Sequence, residues 1–214
     1  MIDPSRASIQ GTVVLVSRLA NAILGCVPGL EYRRFPDDPG RDTSHERTDV
    51  PSLLAFLDAP MNLRILEIGC GRGVALPVIA EILLPSALHA IDIDPALLAE
   101  ATKRVTERDV AVELVHGDVR SMPYADASFD LVLDFGTCYH IAHADRALAE
   151  IARVLVPGGV FAYETRRAQV ASHPFRSFLR SLPWSSCSQF GSERRNGDWG
   201  ARQKSGGNAR HMRA

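Results

Sequence analysis

Short apolar runs alternate, from residue 63 onward, with segments whose apolar residues recur at helical spacing. Runs of strand length fall at 63–68, 87–93, 110–115, 129–133 and 160–164. The segments 74–84, 94–107 and 145–155 have the period of amphipathic helices. Strands separated by helices of this length are typical of βαβ units, which build a parallel sheet with right-handed crossovers. The pattern therefore predicts a doubly wound, mostly parallel α/β fold.

Cap residues and prolines mark where these helices begin and end. Asp94 precedes Pro95, which places an N-cap before a proline at the first helical position. Pro157, Gly158 and Gly159 follow the last helix and are expected to end it. In open sheets of this kind the ligand lies beyond the carboxyl ends of the strands. The loops after residues 68, 93, 116, 133 and 164 are therefore expected to line a site.

The first 62 residues are predicted to form a separate N-terminal helical segment. Residues 9–27 are apolar, but Arg18 and several polar residues interrupt them, and a spanning helix needs about 20 predominantly apolar residues. We interpret this stretch as an amphipathic helix, with a peripheral membrane contact as the less favoured alternative. Arg18 also argues against a signal peptide. Residues 36–49 are polar and dense in charge, and we expect them to be flexible.

The last part of the chain differs in composition from the rest. Residues 166–214 contain 10 Lys/Arg and 2 Asp/Glu, a balance of +8, so the remainder carries −9 of the net charge of −1. A helix is predicted over 166–182. Beyond Pro183 the chain is rich in Gly, Ser, Arg and Asn and shows no convincing pair of strands. Residues 183–214 are therefore predicted to be a disordered basic tail that leaves the sheet edge incomplete.

Three accounts of this tail stay open: a solvated segment without function, an aberrant C-terminus, or a basic arm for nucleic acid or anionic lipid. Basic and aromatic residues are not interleaved in it, so nucleic acid is not expected as a partner. The composition of the whole chain, 46% apolar and 23% charged, is that of an ordinary globular protein. The four cysteines form no C-x-x-C pair, so we expect a reduced, cytoplasmic chain without a structural metal.

The strongest candidate for chemistry is the run from Arg64 to Gly73, Arg-Ile-Leu-Glu-Ile-Gly-Cys-Gly-Arg-Gly. A buried strand that leads into a glycine-rich turn lets backbone N–H groups approach a ligand closely, because no Cβ intervenes. A dinucleotide fingerprint begun at Gly69 would need Gly or Ala at position 74, where the chain has Val74. What stands is an acid and three glycines, Glu67-x-Gly69-x-Gly71-x-Gly73. Alone, this pattern is also compatible with a tight turn that binds no ligand.

Further segments follow the glycine turn in a fixed order. Asp92 ends the second strand, 19 residues after Gly73, where a carboxylate can accept hydrogen bonds from both ribose hydroxyls. A strand-end or capping role is the alternative for Asp92, although Asp94 fits the cap better. The series continues with His-Gly-Asp-Val at 116–119, Met-Pro-Tyr-Ala-Asp-Ala-Ser-Phe-Asp-Leu-Val at 122–132 and Glu-Ile-Ala-Arg-Val-Leu-Val-Pro-Gly-Gly at 150–159. As an ordered set over roughly residues 63–165, it resembles the class I S-adenosylmethionine-dependent methyltransferases of the small-molecule type, methyltransferase domain 11-like.

The resemblance implies a Rossmann-like sheet of strand order 3-2-1-4-5, a cofactor-binding domain over 63–182, and S-adenosyl-L-methionine (SAM) as the cofactor. In that family an acid in the place of Asp118 accepts from the adenine amine, and the next residue, here Val119, packs on the ring. Asp134, which begins the loop after the fourth strand, is expected beside the methionine part of SAM. The implied cofactor contacts are Glu67, Gly69, Cys70, Gly71, Gly73, Asp92, Ile93, Asp118, Val119 and Asp134.

Methyl transfer from a sulfonium leaves a neutral thioether, so a general base is needed only where the acceptor must lose a proton. No catalytic residue is assigned, and His140 and Asp134 are the candidates. No Asn-Pro-Pro-Tyr segment follows the fourth strand, which disfavours amino methylation of DNA bases or protein glutamine. We expect a methyltransferase that acts on a small organic acceptor by in-line displacement. The alternative is a SAM-binding protein with little catalysis, because the C-terminal edge is incomplete.

Overall fold

A computed structural model describes residues 39–164, 190–196 and 198–205. Helical segments precede the sheet: α1 (Pro39–Ser44), a π-helical turn (His45–Asp49) and α2 (Val50–Leu57). The expectation of a flexible stretch over 36–49 is therefore wrong for residues 39–49. Glu46 pairs with Arg108 at 3.0 Å, and Asp42 lies 3.8 Å from Arg104, so partners distant in sequence hold this charged segment in place. The helices predicted over 9–27 and 166–182 lie outside the described residues.

One sheet contains the described strands, which are β1 (Arg64–Ile68), β2 (Ala87–Asp92), β3 (Glu113–His116), β4 (Phe129–Asp134), β5 (Leu155–Glu164), β6 (Phe190–Arg195) and β7 (Trp199–Lys204). Their order is β3-β2-β1-β4-β5-β7-β6. The first five run parallel, and β7 lies antiparallel between β5 and β6. The predicted doubly wound fold and the order 3-2-1-4-5 are confirmed.

The helices between the strands are α3 (Leu76–Leu83), α4 (Pro95–Glu107), α5 (Thr137–His140) and α6 (Ala144–Val154). The carboxylate of Asp94 accepts from the N–H groups of Ala96 and Leu97, which confirms its predicted role as the N-cap of α4. The third strand begins three residues later than predicted, at Glu113. The N–H of Val110 bonds to the carbonyl of Val105 at the end of α4, so Val110 belongs to the helix terminus.

The segment Pro157-Gly158-Gly159 lies inside β5 and does not end a helix. α6 already ends at Val154, and β5 begins at the next residue. Gly158 has φ +82°, and the pairing of β5 with β4 changes register between Phe129 and Leu131. The proline and glycines therefore form an irregular start to the strand, which a sequence pattern cannot distinguish from a helix stop.

The sheet edge beyond β5 is complete, which corrects the prediction of a tail without strands over 183–214. Trp199 on β7 lies opposite Glu164 on β5, and β6 completes the hairpin. Phe190, Trp199 and Ala201 are its buried apolar residues within the described part. So few apolar residues give no alternating run that composition could reveal. The hairpin instead gains its burial from contact with β5.

The register of the strands brings their ends to one edge of the sheet. Ile68 lies opposite Ile91 on one side and Asp134 on the other, and Asp92 lies opposite His116. Helices bury both faces: α6 packs on one face, and α2, α3 and α4 pack on the other. β1 and β4 are consequently enclosed on both sides, as their continuous apolar sequences predict. This rigid centre fixes the positions of the loops that follow the strands.

Candidate cofactor site

A cavity of about 190 Å³ opens at the carboxyl edge of the parallel strands. Its walls come from the turn after β1, the ends of β2 and β3, the loop between β4 and α5, and the N-terminal helical segment. This is where the topology predicts a ligand site. Eight of the ten predicted cofactor residues line it, namely Glu67, Gly69, Cys70, Gly71, Asp92, Ile93, Asp118 and Val119. The other two, Gly73 and Asp134, do not line it.

The three glycines of the turn have left-handed backbones and different surroundings. Gly69, Gly71 and Gly73 have φ values of +61°, +53° and +71°. A Cβ at Gly73 would lie 3.0 Å from the Cβ of Ala101 on α4, so this glycine serves helix packing. A Cβ at Gly71 would meet no protein atom within 4 Å. Gly71 is therefore the place where a ligand can approach the backbone most closely.

Asp92 is a buried carboxylate that joins the glycine turn to β2. Its Oδ2 accepts from the N–H of Gly71 at 2.7 Å, and its Oδ1 accepts from the N–H of Asp94 at 2.8 Å. Burial raises the pKa of Asp92, although these hydrogen bonds oppose the shift. Each carboxylate oxygen has a second lone pair, so Asp92 retains capacity for the two hydroxyl donors that the sequence analysis expects there.

Glu67 lies beneath the glycine turn and is 3% exposed. Its Oε2 has no hydrogen-bond partner within the part of the chain that the structure describes. Burial, together with the charges of Asp92 and Asp134, raises the pKa of Glu67 well above its usual value. A buried carboxyl group without a partner costs stability, so this position fits a ligand that brings positive charge or a hydrogen-bond donor.

Asp118 lines the cavity, but its carboxylate is shared with Arg120. The Arg120 guanidinium donates to both oxygens, with its terminal nitrogen 2.7 Å from Oδ2, and the Arg120 N–H donates to Oδ1 at 2.8 Å. Burial opposes ionisation of Asp118, but these bonds outweigh it and lower the pKa. The sequence analysis missed Arg120. Its position two residues after Asp118 in the same loop is the signal that its guanidinium can reach the Asp118 carboxylate.

Asp134 is fully buried and organises the loop after β4. Its Oδ1 accepts from the N–H groups of Gly136 at 2.8 Å and Thr137 at 2.6 Å. Burial raises the pKa of Asp134. The Thr137 hydroxyl then donates to the carbonyl of Ile68, at 3.0 Å. The carboxylate of Asp134 thus faces its own loop, and the neighbouring Gly136 and Thr137 line the cavity in its place.

The candidate His140 and two other histidines, His116 and His143, lie in different places. His140 lines the cavity. His143 precedes α6 with a left-handed backbone, and the Nε2 of His116 lies 3.1 Å from the carbonyl of Ile93. Neither His143 nor His116 lines the cavity. The structure therefore keeps His140 near the site and separates the other two from it.

The N-terminal helical segment supplies a wall of the cavity through residues that the sequence analysis did not single out. Arg41, Asp42 and His45 line the cavity. Asp42 lies 3.8 Å from Arg72, which directly follows Gly71 in the glycine turn. A charge-dense run before the first strand carries no motif that would reveal such contacts. Only the pairing with α4 and the glycine turn makes it part of the site.

The described residues lack two features that are typical of other classes of protein. They contain no group of three or more His, Cys, Asp or Glu side chains placed to hold a metal ion. They also include no helix whose length and apolarity would allow it to cross a membrane.

Several known proteins with a similar sequence or fold are methyltransferases. Residues 66–163 match the family model described as "Methyltransferase domain". A solved SAM-dependent methyltransferase from Aquifex aeolicus has the same fold, with a TM-score of 0.63 at 17% identity over 79% of this chain and 98% of that chain. Residues 66–163 therefore match a methyltransferase domain, and the fold is shared with a SAM-dependent methyltransferase, as the resemblance seen in the sequence predicts; SAM is the methyl donor that these matches imply.

Methyltransferases from mycobacteria are among the curated relatives. Phthiotriol/phenolphthiotriol dimycocerosates methyltransferase of Mycobacterium tuberculosis is 29% identical over 163 residues, which are 72% of this chain and 60% of that protein. Fatty-acid O-methyltransferase of Mycolicibacterium smegmatis is 30% identical over 126 residues, which are 59% of this chain and 45% of that protein. The match thus spans about half to three fifths of the length of these relatives.

Proposed function

We propose that this chain transfers the methyl group of SAM to a small organic acceptor. The observation that carries the proposal is the meeting of three features at one cavity: the open Gly71 backbone, the Asp92 carboxylate bound to it, and the buried Glu67 oxygen without a protein partner. SAM would bring ribose hydroxyls, an ammonium group and a sulfonium to these three features. Its electrophilic methyl group supplies the chemistry, and the protein has to bind and orient the reactants.

The lining residues divide the cavity into regions with different tasks. Asp92 would accept from the ribose hydroxyls, and Ile93 and Val119 would pack against the adenine. Asp118 would accept from the adenine amine, with the Arg120 guanidinium holding its carboxylate in the ionised form. Glu67 would complement the positive charge near the glycine turn. Each of these roles follows from the position of the residue on the cavity wall and from the family resemblance.

The acceptor is proposed to be a lipid-like molecule with a hydroxyl or carboxyl group. The named relatives support this class, because one acts on phthiotriol dimycocerosates and another methylates fatty acids at oxygen. Phe135 and Ile141 line the cavity beside the loop after β4 and offer apolar contacts to such a chain. Palmitic acid and cetyl alcohol are therefore suitable acceptor probes, since they have the same carbon skeleton and differ in the oxygen group.

The alternative of a SAM-binding protein without turnover loses its main support. That reading depended on an incomplete sheet edge, and β6 and β7 complete the edge beside β5. Trp199 on β7 also lies against Phe135, with ring centroids 6.4 Å apart, so the hairpin supports the loop at the reacting end of the cavity.

The test of the proposal measures S-adenosylhomocysteine (SAH) produced from SAM with each acceptor probe. We expect turnover with at least one of the two, with methyl ester or methyl ether as the matching product by mass spectrometry. Gly71→Arg should abolish it while the chain remains folded, because the side chain would fill the turn. Tight SAH binding without methylated product from either probe would favour the binding protein over the lipid methyltransferase.

A further inference from the structure

The N-terminal wall of the cavity carries a histidine paired with an acid. His45 lines the cavity from the π-helical turn, and its ring meets Phe135 edge-on with centroids 4.8 Å apart. Its Nδ1 lies 3.6 Å from Oδ2 of Asp49, one helical turn later. π-helical turns are rare and occur frequently at functional sites, where they redirect side chains. Phe135 belongs to the loop after β4, which the family resemblance places beside the methionine part of SAM, so His45 contacts that loop.

This pair differs from four carboxylates that line the cavity or lie beside it. The carboxylates of Asp92, Asp118 and Asp134 each accept short hydrogen bonds from protein N–H groups. Glu67 is buried beneath the glycine turn, and its pKa is raised well above the usual value by burial and by neighbouring acids. His45 is 18% exposed and Asp49 is 41% exposed, so the pair connects the cavity with solvent. A proton taken up inside the cavity would have a path to leave by.

We propose that His45 is the proton acceptor for a hydroxyl group on the methyl acceptor, and that Asp49 is the residue that positions it. This inference rests on the proposed function and narrows it to acceptors that lose a proton. Asp49 holds Nδ1 in the protonated form, which leaves Nε2 as the basic nitrogen. In the reaction the acceptor oxygen forms a bond to the methyl carbon, the carbon–sulfur bond breaks with its electron pair kept by sulfur, and the hydroxyl proton passes to Nε2.

The separation of 3.6 Å is longer than a hydrogen bond. We expect it to shorten when the imidazole becomes charged, because an imidazolium attracts the carboxylate. Long catalytic contacts of this kind are common before the substrate is bound. Glu46 lies on the same turn as His45 but pairs with Arg108, the residue that follows α4, so it has a different partner. Glu46→Gln is therefore a matched control for Asp49→Asn, since both replace a carboxylate by an amide on the same segment.

The first measurement is independent of turnover and reads the tautomer of His45 by nitrogen NMR of the full chain, ligand-free and with SAH. His45→Gln assigns the signal. We expect the Nδ1–H tautomer in the wild type, a shift toward Nε2–H in Asp49→Asn, and no shift in Glu46→Gln. The proposal would be overturned if the wild type has the Nε2–H tautomer, or if Asp49→Asn leaves the tautomer of His45 unchanged. Absence of SAH binding would count against the proposed function and leave the tautomer result standing.

The second measurement compares the two acceptor probes. His45→Gln should lower SAH production with cetyl alcohol by about 10²–10⁴-fold, the usual contribution of a general base. With palmitic acid, SAH production by His45→Gln should stay within about threefold of the wild-type rate, because a carboxylate has no proton to lose. Equal losses with both probes, or a wild type that methylates palmitic acid alone, would contradict the role. If the wild type methylates neither probe, the tautomer measurement decides.

Discussion

The Thr137 side chain lies directly over Gly69 and ties the loop after β4 to the turn after β1. Its hydroxyl donates to the carbonyl of Ile68 at 3.0 Å, and a Cβ at Gly69 would overlap with the Thr137 side chain. Asp134 fixes the Thr137 backbone from below. Gly69 is therefore required by contact with the protein itself, whereas Gly71 faces open space. Within one motif, Gly69 allows the protein to pack against itself, and Gly71 leaves room for a ligand.

This difference predicts different outcomes for Gly69→Ala and Gly71→Ala. Gly69→Ala should destabilise the fold, because the new Cβ meets Thr137 and the left-handed backbone alone costs about 1–2 kcal/mol in a non-glycine residue. Gly71→Ala should lose only the stability that the left-handed backbone costs, because its Cβ meets no protein atom. It should nevertheless weaken SAH binding, because that Cβ enters the cavity. Thermal unfolding and titration calorimetry on both variants measure the two effects. Equal losses of stability with unchanged SAH affinity would contradict this assignment.

Removal of the Thr137 hydroxyl is expected to loosen the turn without creating a clash. Thr137→Val keeps the shape but leaves the Ile68 carbonyl without this donor, which costs about 1 kcal/mol. Affinity for SAH should fall together with stability, because the turn lines the cofactor site. Thr137→Ser keeps the hydroxyl and is the control that should bind like the wild type. A serine variant as weak as the valine variant would show that the methyl group, and not the hydrogen bond, matters.

Replacement of Glu67 by glutamine should separate stability from binding. The raised pKa of Glu67 means that the folded chain holds this proton more tightly than the unfolded chain does. Its contribution to stability is therefore present at low pH and is lost as pH rises from the ordinary carboxyl pKa toward the raised one. Glu67→Gln should consequently be more stable than the wild type at neutral pH, with the difference vanishing toward about pH 4.

The measurement for Glu67→Gln is the melting temperature at a series of pH values without ligand. Each kcal/mol gained in the free energy of unfolding raises the melting temperature by roughly 2–4 °C in a chain of this size. SAH binding should weaken in the same variant, because the negative charge beneath the turn is gone. A variant that melts below the wild type at neutral pH would show that Glu67 has a stabilising partner in the folded chain.

The C-terminal hairpin is predicted to be essential for the fold. A Cβ at Gly200 would overlap with the Tyr163 ring on β5, so Gly200→Val should cost about 1–3 kcal/mol through overpacking. SAH binding should weaken as well, since the adjacent Trp199 supports Phe135. Arg195→Ala is the control, because Arg195 is exposed and forms a surface ion pair worth less than about 1 kcal/mol. Indistinguishable melting of the two variants would mean that the hairpin contributes little.

The sheet and the glycine turn could be predicted because local sequence carries their signals. The apolar runs of β1 and β4 reflect burial on both faces, and the cap at Asp94 is satisfied by its own helix. The alignment of Gly69, Asp92 and Asp118 on one edge follows from strand order alone. These features need no knowledge of distant contacts.

The remaining features depend on partners that are far away in the sequence. β7 is held by β5 and buries a tryptophan and an alanine, which no local pattern marks as a strand. The charged segment around His45 is ordered by Arg72, Arg104 and Arg108, and nothing near it in the sequence indicates this. Asp134 was expected at the ligand, but its carboxylate is used by the N–H groups of its own loop. Backbone N–H groups at a tight turn compete with a ligand for the carboxylate of a nearby acid.

The central claim is that the cavity at the glycine turn binds SAM, and titration calorimetry with SAH tests it most directly. We expect saturable binding of SAH by the folded wild type, loss of that binding in a Gly71→Arg variant that still unfolds cooperatively, and no comparable binding of NAD. A folded wild-type chain that does not bind SAH, or that binds NAD in a manner abolished by Gly71→Arg, would contradict it.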